Sequence, residues 1–171
     1  MADLIYALWT SPIGTLAVVA DNVAVQAVVF RDDREQTLKK LEREYPTAVA
    51  SETGWALAGL RQIREFFNGV RREFELPLDW SGLTPFARNV LSELGRIPFA
   101  TTVTYGELAA RCDSPHAARA IGRVMASNRL PLILPCHRVV GVGGQLTGYS
   151  GGGGVSSKRW LLDFERSQVS S

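Results

Sequence analysis

Residues 130–140, LPLILPCHRVV, lead into a glycine-rich run over residues 141–154 and indicate how the second half of the chain folds. The apolar run at 130–134 predicts an extended, buried segment. Pro135 fixes its own φ and removes a backbone donor, so we expect the chain to turn there. Because turns after buried strands often carry functional side chains, Cys136 is predicted to be presented to a ligand rather than simply packed.

His137 and Arg138 follow Cys136 directly and add one titratable and one permanent positive group. Both are expected to favour the thiolate, which is the nucleophilic form of cysteine. Free cysteine is also common as a small buried hydrophobe, so a Cys-His pair alone leaves a packing role open. The sequence around the pair favours the functional interpretation.

Two blocks of sequence resemble the DNA repair alkyltransferases that act on O6-alkylguanine, the methylated-DNA–protein-cysteine methyltransferases. The first block contains Asn128, Pro-Cys-His-Arg-Val at 135–139, Gly-Tyr-Ser-Gly-Gly at 148–152, Lys-Arg at 158–159 and Glu165. The second block is Val-Thr-Tyr-Gly-Glu-Leu-Ala at 103–109 with Ala-Ala-Arg-Ala-Ile-Gly at 117–122. The close resemblance covers residues 84–166, whereas residues 1–80 match only in general layout.

The resemblance implies an α/β (α+β) protein of two domains. Residues 1–80 are expected to form a scaffold domain with a small antiparallel sheet and helices, ribonuclease-H-like in fold. Residues 81–171 are expected to form a winged-helix/helix-turn-helix domain for DNA binding and alkyl transfer. In the first half, residue patterns predict strands at 4–9, 15–20 and 23–30 and a linker at 76–82. They also predict a helix that is capped by Asp32 or Asp33 and runs to residue 45, and a second helix at 53–67.

Two short helices are predicted in the middle of the second half. Thr104 and Glu107 have capping-box spacing at the start of one, and Ser114 with Pro115 is typical of the start of the next. Joined by a tight turn, they form a helix-turn-helix that exposes arginines, although helical hairpins that bind nothing share this pattern. Further helices are predicted at 85–95, with Thr84 as the cap and Pro85 as the first residue, and from 156 or 157 to 166.

The resemblance also implies roles for particular residues. Cys136 attacks the alkyl carbon, His137 removes its proton through a water, and Glu165 orients His137. Asn128 holds the turns around the Cys136 segment, and Tyr105 lies near the extruded nucleotide. The candidate DNA-binding residues are Tyr105, Ala118, Arg119, Arg123 and Arg129, with Arg119 filling the place of the flipped base. The expected alkylguanine pocket is lined by Met125, Pro131, Val139, Tyr149, Ser150 and Gly151.

Several positions depart from the family pattern. Ala87 and Leu91 stand where relatives usually have Gln and an aromatic residue, and we interpret both as packing positions. Arg129 replaces a usual proline and adds a positive charge beside the expected pocket. Four consecutive glycines, residues 151–154, lengthen a loop and have a large conformational entropy to lose. We expect that loop to be mobile without DNA and to admit bulkier alkyl groups.

Composition excludes several classes of protein. The 171 residues have room for one domain or two small ones, and 46% hydrophobic content supports a packed core. There is no apolar run of membrane-spanning length, and residues 1–10 lack the basic start of a signal peptide. Two cysteines and two histidines without CxxC spacing predict reduced thiols in the cytoplasm, with no disulfide framework and no metal site.

Charge is unevenly distributed along the chain. Residues 1–80 carry 9 basic and 12 acidic side chains, whereas residues 81–171 carry 10 basic and 5 acidic ones. The basic half suits a polyanionic partner, although an ordinary solvated surface would have a similar balance. By resemblance we expect a monomer that needs no cofactor and acts on double-stranded DNA containing O6-alkylguanine. The sequence leaves open whether O4-alkylthymine is a second substrate.

Two rival functions have distinguishable requirements. A cysteine hydrolase would need a histidine that is distant in sequence from its cysteine and converges with it in space. The only candidates are His137, which is adjacent, and His116 at a helix start, so the sequence disfavours this class. A non-catalytic alkylated-DNA-binding protein or winged-helix regulator would keep Arg119 but has no use for Cys136. Whether Cys136 acquires an alkyl group from DNA separates these alternatives.

Overall fold

The computed structural model describes residues 3–170. Met1 and Ala2, the start of the stretch considered for an export signal, and Ser171 lie outside the described residues. The chain divides into two units. The first comprises Met1–Asp79 and Ser150–Gly153, and the second comprises Trp80–Tyr149 and Gly154–Ser171. Among residues 3–170, no helix is long and apolar enough to span a membrane.

A four-stranded sheet with two helices forms the first unit. The strands lie in the order β3-β2-β1-β4, in which β1, β2 and β3 are antiparallel neighbours and β4 runs parallel to β1. The elements are β1 (Ile5–Ser11), β2 (Gly14–Ala20), β3 (Val25–Arg31), α1 (Arg34–Glu44), β4 (Val49–Ala50) and α2 (Gly54–Phe67). The short strand β4 was not predicted, because two exposed residues carry no periodicity.

Strand β2 is buried along its whole length because helices cover both faces of the sheet. Ala17 and Val19 pack in one cluster with Leu41 of α1. Val18 points to the other face, where α2 approaches so closely that a Cβ on Gly59 would lie 2.9 Å from its Cγ1. This glycine therefore permits the close contact between helix and sheet.

Two boundaries in the first unit differ from prediction. Strand β3 begins at Val25 because the Asp21 carboxylate accepts the N–H groups of Val23 and Ala24, at 2.7 and 2.8 Å, and so extends the turn. Residues 76–82 are not a free linker throughout. Val25 donates to the Pro77 carbonyl at 2.8 Å and accepts from the Asp79 N–H at 2.9 Å, which attaches this segment to β3.

The second unit is mainly helical. Its elements are α3 (Pro85–Leu94), β5 (Val103–Thr104), α4 (Tyr105–Arg111), α5 (Ala118–Ala126), β6 (Val139–Val140) and α6 (Val155–Val169). Strands β5 and β6 pair in parallel. The predicted caps of α3 and α4 are confirmed, since the hydroxyl of Thr84 accepts from the Ala87 N–H and that of Thr104 accepts from the Glu107 N–H.

The predicted start of the second short helix was wrong. Helix α5 begins at Ala118, because the Ser114 carbonyl accepts the Ala117 N–H at 2.9 Å and closes a separate turn first. The Ser114 hydroxyl bonds the Cys112 carbonyl at 3.4 Å instead of capping a helix. Residues 112–117 therefore separate α4 from α5, a longer connection than the predicted tight turn.

The apolar run at 130–134 is a turn rather than an extended segment. The Leu134 N–H donates to the Leu130 carbonyl at 2.8 Å, and Leu132 has a φ of 74°. That φ lies in the left-handed region, which a leucine adopts only when its surroundings impose it. Its apolar side chains are buried as predicted, but the backbone is compact.

Candidate active site

Asn128 holds the turn that precedes Cys136. Its side-chain oxygen accepts the Leu130 N–H at 3.0 Å, and its amide nitrogen donates to the Leu134 carbonyl at 2.9 Å. Pro135 follows, and Cys136 begins a short 3-10 turn, Cys136–Arg138. A single buried side chain thus spans both ends of the turn and sets the position of the thiol.

Cys136 is only 8% exposed, so its thiol lies in the protein interior and not at the surface of the turn. Burial raises the pKa of its thiol, while hydrogen bonding by Asn128 and the charge of Lys158 oppose that rise. The expected contributions of His137 and Arg138 are absent, because both side chains interact with Glu165 instead. The positive charge that favours the Cys136 thiolate is that of Lys158, on α6.

His137 and Glu165 form a fully buried pair, with Nε2 and Oε2 separated by 2.7 Å. Burial alone would raise the pKa of Glu165, but hydrogen bonds and charges from His137 and Arg138 outweigh it and lower the pKa to about 2. Glu165 is therefore ionised, and we assign the proton of the neutral imidazole to Nε2.

The other ring nitrogen of His137, Nδ1, is buried and accepts no hydrogen bond from any residue in the described range. Burial lowers the pKa of His137 despite the opposing effect of Glu165, and the charges of Arg138 and Lys158 lower it further. A neutral histidine whose Nδ1 lone pair is unengaged can act as a base.

Arg138 supports the carboxylate of Glu165. Its Nε lies 2.9 Å from Oε1 and its Nη2 lies 2.9 Å from Oε2, while Nη1 donates to the Ile97 carbonyl at 2.8 Å. The Ala100 N–H also donates to Oε1, at 3.0 Å. Ala100 has a φ of 61°, in the left-handed region that is strained for alanine, so its N–H reaches Glu165 from a strained backbone conformation.

Lys158 is a site residue that sequence reasoning missed. It is 1% exposed, its ammonium donates to the carbonyls of Thr147 and Gly148 at 3.1 and 3.4 Å, and it lies 6.0 Å from the ring centroid of Tyr105. The Tyr105 hydroxyl donates to the same Thr147 carbonyl at 3.3 Å. Its spacing from Leu161, Leu162 and Glu165 at i+3, i+4 and i+7 was the available signal that it faces inward.

The expected pocket residues divide between the two units. Met125, Pro131 and Val139 are buried in the second unit. Burial raises the pKa of Tyr149, and its hydroxyl has no hydrogen-bond partner among residues 3–170. Ser150 and Gly151, by contrast, belong to the first unit.

Residues 151–154 are less free than their composition predicts. Gly151 and Gly152 are buried, and the Gly152 N–H donates to the Phe30 carbonyl at 3.2 Å. The Ser150 carbonyl accepts from Arg31 at 3.3 Å. Both contacts lie within the first unit, where they attach the loop to β3.

Apart from Tyr105, which begins α4, the candidate DNA-binding residues lie on or beside α5. Arg119 and Arg123 are exposed and Ala118 is half-buried, while Ile121, Val124 and Met125 form the buried side of the helix. Arg129 is exposed as well, but its guanidinium donates to the Ser81 carbonyl at 3.1 Å. No group of three potential metal ligands occurs within residues 3–170.

Known proteins match both halves of the chain. Residues 85–167 match the family model of the 6-O-methylguanine DNA methyltransferase DNA binding domain, and residues 4–80 match that of the ribonuclease-like domain of 6-O-methylguanine DNA methyltransferase. A methylated-DNA–protein-cysteine methyltransferase of Methanosarcina acetivorans is 35% identical over 162 residues, which cover 95% of this chain and 98% of that protein. This chain belongs to the methylated-DNA–protein-cysteine methyltransferase family. A family member from Mycolicibacterium paratuberculosis is 40% identical over 139 residues, 78% of this chain and 82% of that protein.

Solved structures agree with this assignment to the methylated-DNA–protein-cysteine methyltransferases. The crystal structure of Mycobacterium tuberculosis OGT in complex with DNA superposes with a TM-score of 0.80 at 34% identity, covering 96% of this chain and 94% of that one. The predicted α/β fold class is confirmed. Family membership makes the chain a DNA repair enzyme with a DNA-binding domain and excludes the cysteine hydrolase interpretation.

Proposed function

We propose that this protein transfers an alkyl group from O6-alkylguanine in double-stranded DNA to Sγ of Cys136, once per molecule. The observation that carries the proposal is the burial of Cys136 beside the His137–Glu165 pair, within the unit that contains the DNA-binding match. The names of the relatives supply the substrate class, methylated DNA, and the acceptor class, a protein cysteine.

Cys136 is a better acceptor than the other cysteine. Burial raises the pKa of Cys112, and the acidic side chains of Glu93 and Asp113 raise it further. Cys136 instead has Asn128 and Lys158 to favour its charged form. Since the thiolate is the nucleophile, the electrostatic surroundings distinguish the two thiols.

The proposed reaction is an in-line displacement. The Cys136 thiol loses its proton to Nδ1 of His137 through a water, while Nε2–H remains bonded to Glu165. A bond then forms between Sγ and the alkyl carbon, the bond from that carbon to O6 breaks, and the electron pair leaves with guanine. Tyr105 donates a hydrogen bond from its hydroxyl to the departing base. These roles follow the nucleophile, base and orienting-group logic of covalent catalysis.

The alkylated base must leave the duplex to reach a buried thiol. Base flipping costs a few kcal/mol of lost stacking and pairing. We propose that α5 enters the minor groove and that Arg119 fills the vacated place, because a planar guanidinium can stack and also donate hydrogen bonds. Its exposure on α5 supports this role, and Arg123, Ala118 and Arg129 would contact the backbone nearby.

The product is a thioether, and no ordinary cellular reductant reverses it as it would a disulfide. We therefore propose that the protein acts stoichiometrically. Met125, Pro131, Val139 and Tyr149, which all belong to the second unit, would line the guanine pocket. The second unit would contain both the DNA-binding surface and the reacting groups.

Intact-protein mass after incubation with a duplex containing one O6-methylguanine tests the proposal. We expect a gain of one CH₂ that saturates at one per protein, persists in Cys112→Ser and disappears in Cys136→Ser. A duplex with O4-methylthymine, run in parallel, defines the second substrate. Tight binding without a mass gain would overturn the transferase proposal in favour of a non-catalytic damage-binding protein.

A further inference from the structure

Two side chains share the carboxylate of Glu165. Nε2 of His137 lies 2.7 Å from Oε2, and Nη2 of Arg138 lies 2.9 Å from the same oxygen. Nε of Arg138 lies 2.9 Å from Oε1, so the guanidinium contacts both oxygens. The side chains of the histidine and the glutamate are 0% exposed and that of the arginine is 6% exposed. A permanent cation therefore balances this carboxylate before His137 gains any proton.

We propose that Arg138 is a positioning residue that keeps His137 neutral, so that the imidazole serves as a base toward Cys136 instead of a standing imidazolium paired with Glu165. The inference rests on the function proposed above. A lone carboxylate beside a histidine favours the charged imidazole. An imidazole that is already charged has no lone pair with which to accept the cysteine proton.

The surroundings of Arg138 hold its guanidinium in this arrangement. Its Nη1 donates to the Ile97 carbonyl at 2.8 Å, and its central carbon lies 5.6 Å from the ring centroid of Phe99. The Ala100 N–H completes the set of donors to Glu165. Arginine suits this position because its planar fork can bond both carboxylate oxygens and a carbonyl while remaining charged.

Three charged side chains affect the protonation of His137. Glu165 on α6 favours the imidazolium, whereas Arg138 and Lys158 oppose it, in the same direction as burial. Lys158 donates to main-chain carbonyls of residues 147 and 148 and interacts electrostatically with Cys136. Tyr149 is a further titratable group near this cluster, since it interacts electrostatically with Cys136 and Glu165. Arg138 differs from Lys158 because it contacts the carboxylate directly. Removing Arg138 therefore exposes the full effect of Glu165 on the histidine.

Nitrogen-detected NMR of the free protein tests the inference without any DNA. The chain has two histidines, and exposed His116 serves as an internal reference. In Arg138→Met we expect the titration midpoint of His137 to rise by about one pH unit, the shift typical of removing a nearby like charge. Arg138→Lys keeps the charge and should leave the midpoint within a few tenths of a unit of wild type. In the control Arg96→Met, which breaks an exposed 2.9 Å pair with Glu93, the midpoint should not move.

A second comparison covers the case in which Arg138→Met does not fold, because it leaves Glu165 without its arginine partner. The Glu165→Gln variant is compared with Glu165→Gln/Arg138→Met, and loss of the arginine should again raise the His137 midpoint. An unchanged midpoint in the folded pair would overturn the inference, even if Cys136 is alkylated normally. Raised midpoints combined with no mass gain in the wild-type protein would overturn the proposed function and leave the electrostatic role of Arg138 intact.

Discussion

Acidification should selectively remove the stability that Glu165 contributes. The carboxyl has a pKa of about 2 in the folded protein against 4.5 for the free group. Because the folded-state pKa is depressed, this contribution is fully present above pH 4.5 and declines as the pH falls toward 2. Linkage gives a loss of roughly 2 kcal/mol by pH 3 and roughly 3 kcal/mol once the group is fully protonated.

Urea unfolding at pH 7, 5, 4 and 3 isolates this contribution when wild type is compared with Glu165→Gln. At neutral pH the variant should be less stable by ~3–5 kcal/mol, because it leaves Arg138 buried without its partner. The difference between the two proteins should shrink by roughly 2 kcal/mol at pH 3, where the carboxyl is protonated in the unfolded chain but still mostly ionised in the folded protein. A difference that stays constant from pH 7 to pH 3 would refute the assignment of Glu165 as an ionised, multiply bonded acceptor.

Four further outcomes are expected. Lys158→Met should raise the pH at which Cys136 reacts with iodoacetamide, because Lys158 lowers the pKa of that thiol, whereas exposed Arg159→Met should leave the profile unchanged. Asn128→Ala removes two hydrogen bonds and should lower the free energy of unfolding by ~1–3 kcal/mol, measured in urea. A loss below about 0.3 kcal/mol would contradict the role of Asn128 in holding the turn before Cys136. Ala100→Gly should stabilise the protein by about 0.5–1 kcal/mol, because glycine adopts a φ of 61° without strain, and a lower melting temperature would count against this account. Alkylated Cys136 should lower the melting temperature, since an added methylene in a packed site costs ~1–3 kcal/mol; an equal melting temperature would show that the site has spare room.

Local chemistry was readable from the sequence alone. Thr84 and Thr104 were predicted as helix caps, and either Asp32 or Asp33 was predicted as a third. The side chains of Asp33, Thr84 and Thr104 each accept a hydrogen bond from the helix that follows. Such contacts join residues three positions apart, so a short stretch of sequence includes both partners of the hydrogen bond. The strands β1 and β2 were predicted for a similar reason, since their β-branched and aromatic residues suit a buried sheet.

Contacts between distant residues explain what the sequence did not show. The apolar composition of residues 130–134 suggested a strand, but Asn128 bonds both ends of that run and imposes a turn. Arg138 was expected to act on Cys136, its near neighbour in sequence, whereas its guanidinium reaches a carboxylate 27 positions away. Packing determines whether the guanidinium of Arg138 contacts Cys136 or Glu165, and the spacing of these residues in the sequence does not predict the outcome.

The burial of Cys136 has a consequence for the lifetime of the unused protein. With 8% of the residue exposed and a raised pKa, the resting thiol is mostly protonated and shielded from solvent at neutral pH. Small oxidants and electrophiles attack the exposed thiolate, so both features protect this side chain from accidental modification. Under the stoichiometric action proposed above, each molecule reacts only once, so it would gain more from such protection than a catalyst that turns over. Its selectivity for alkylated DNA over small electrophiles would then arise in part before DNA is bound, from the low reactivity of the free thiol.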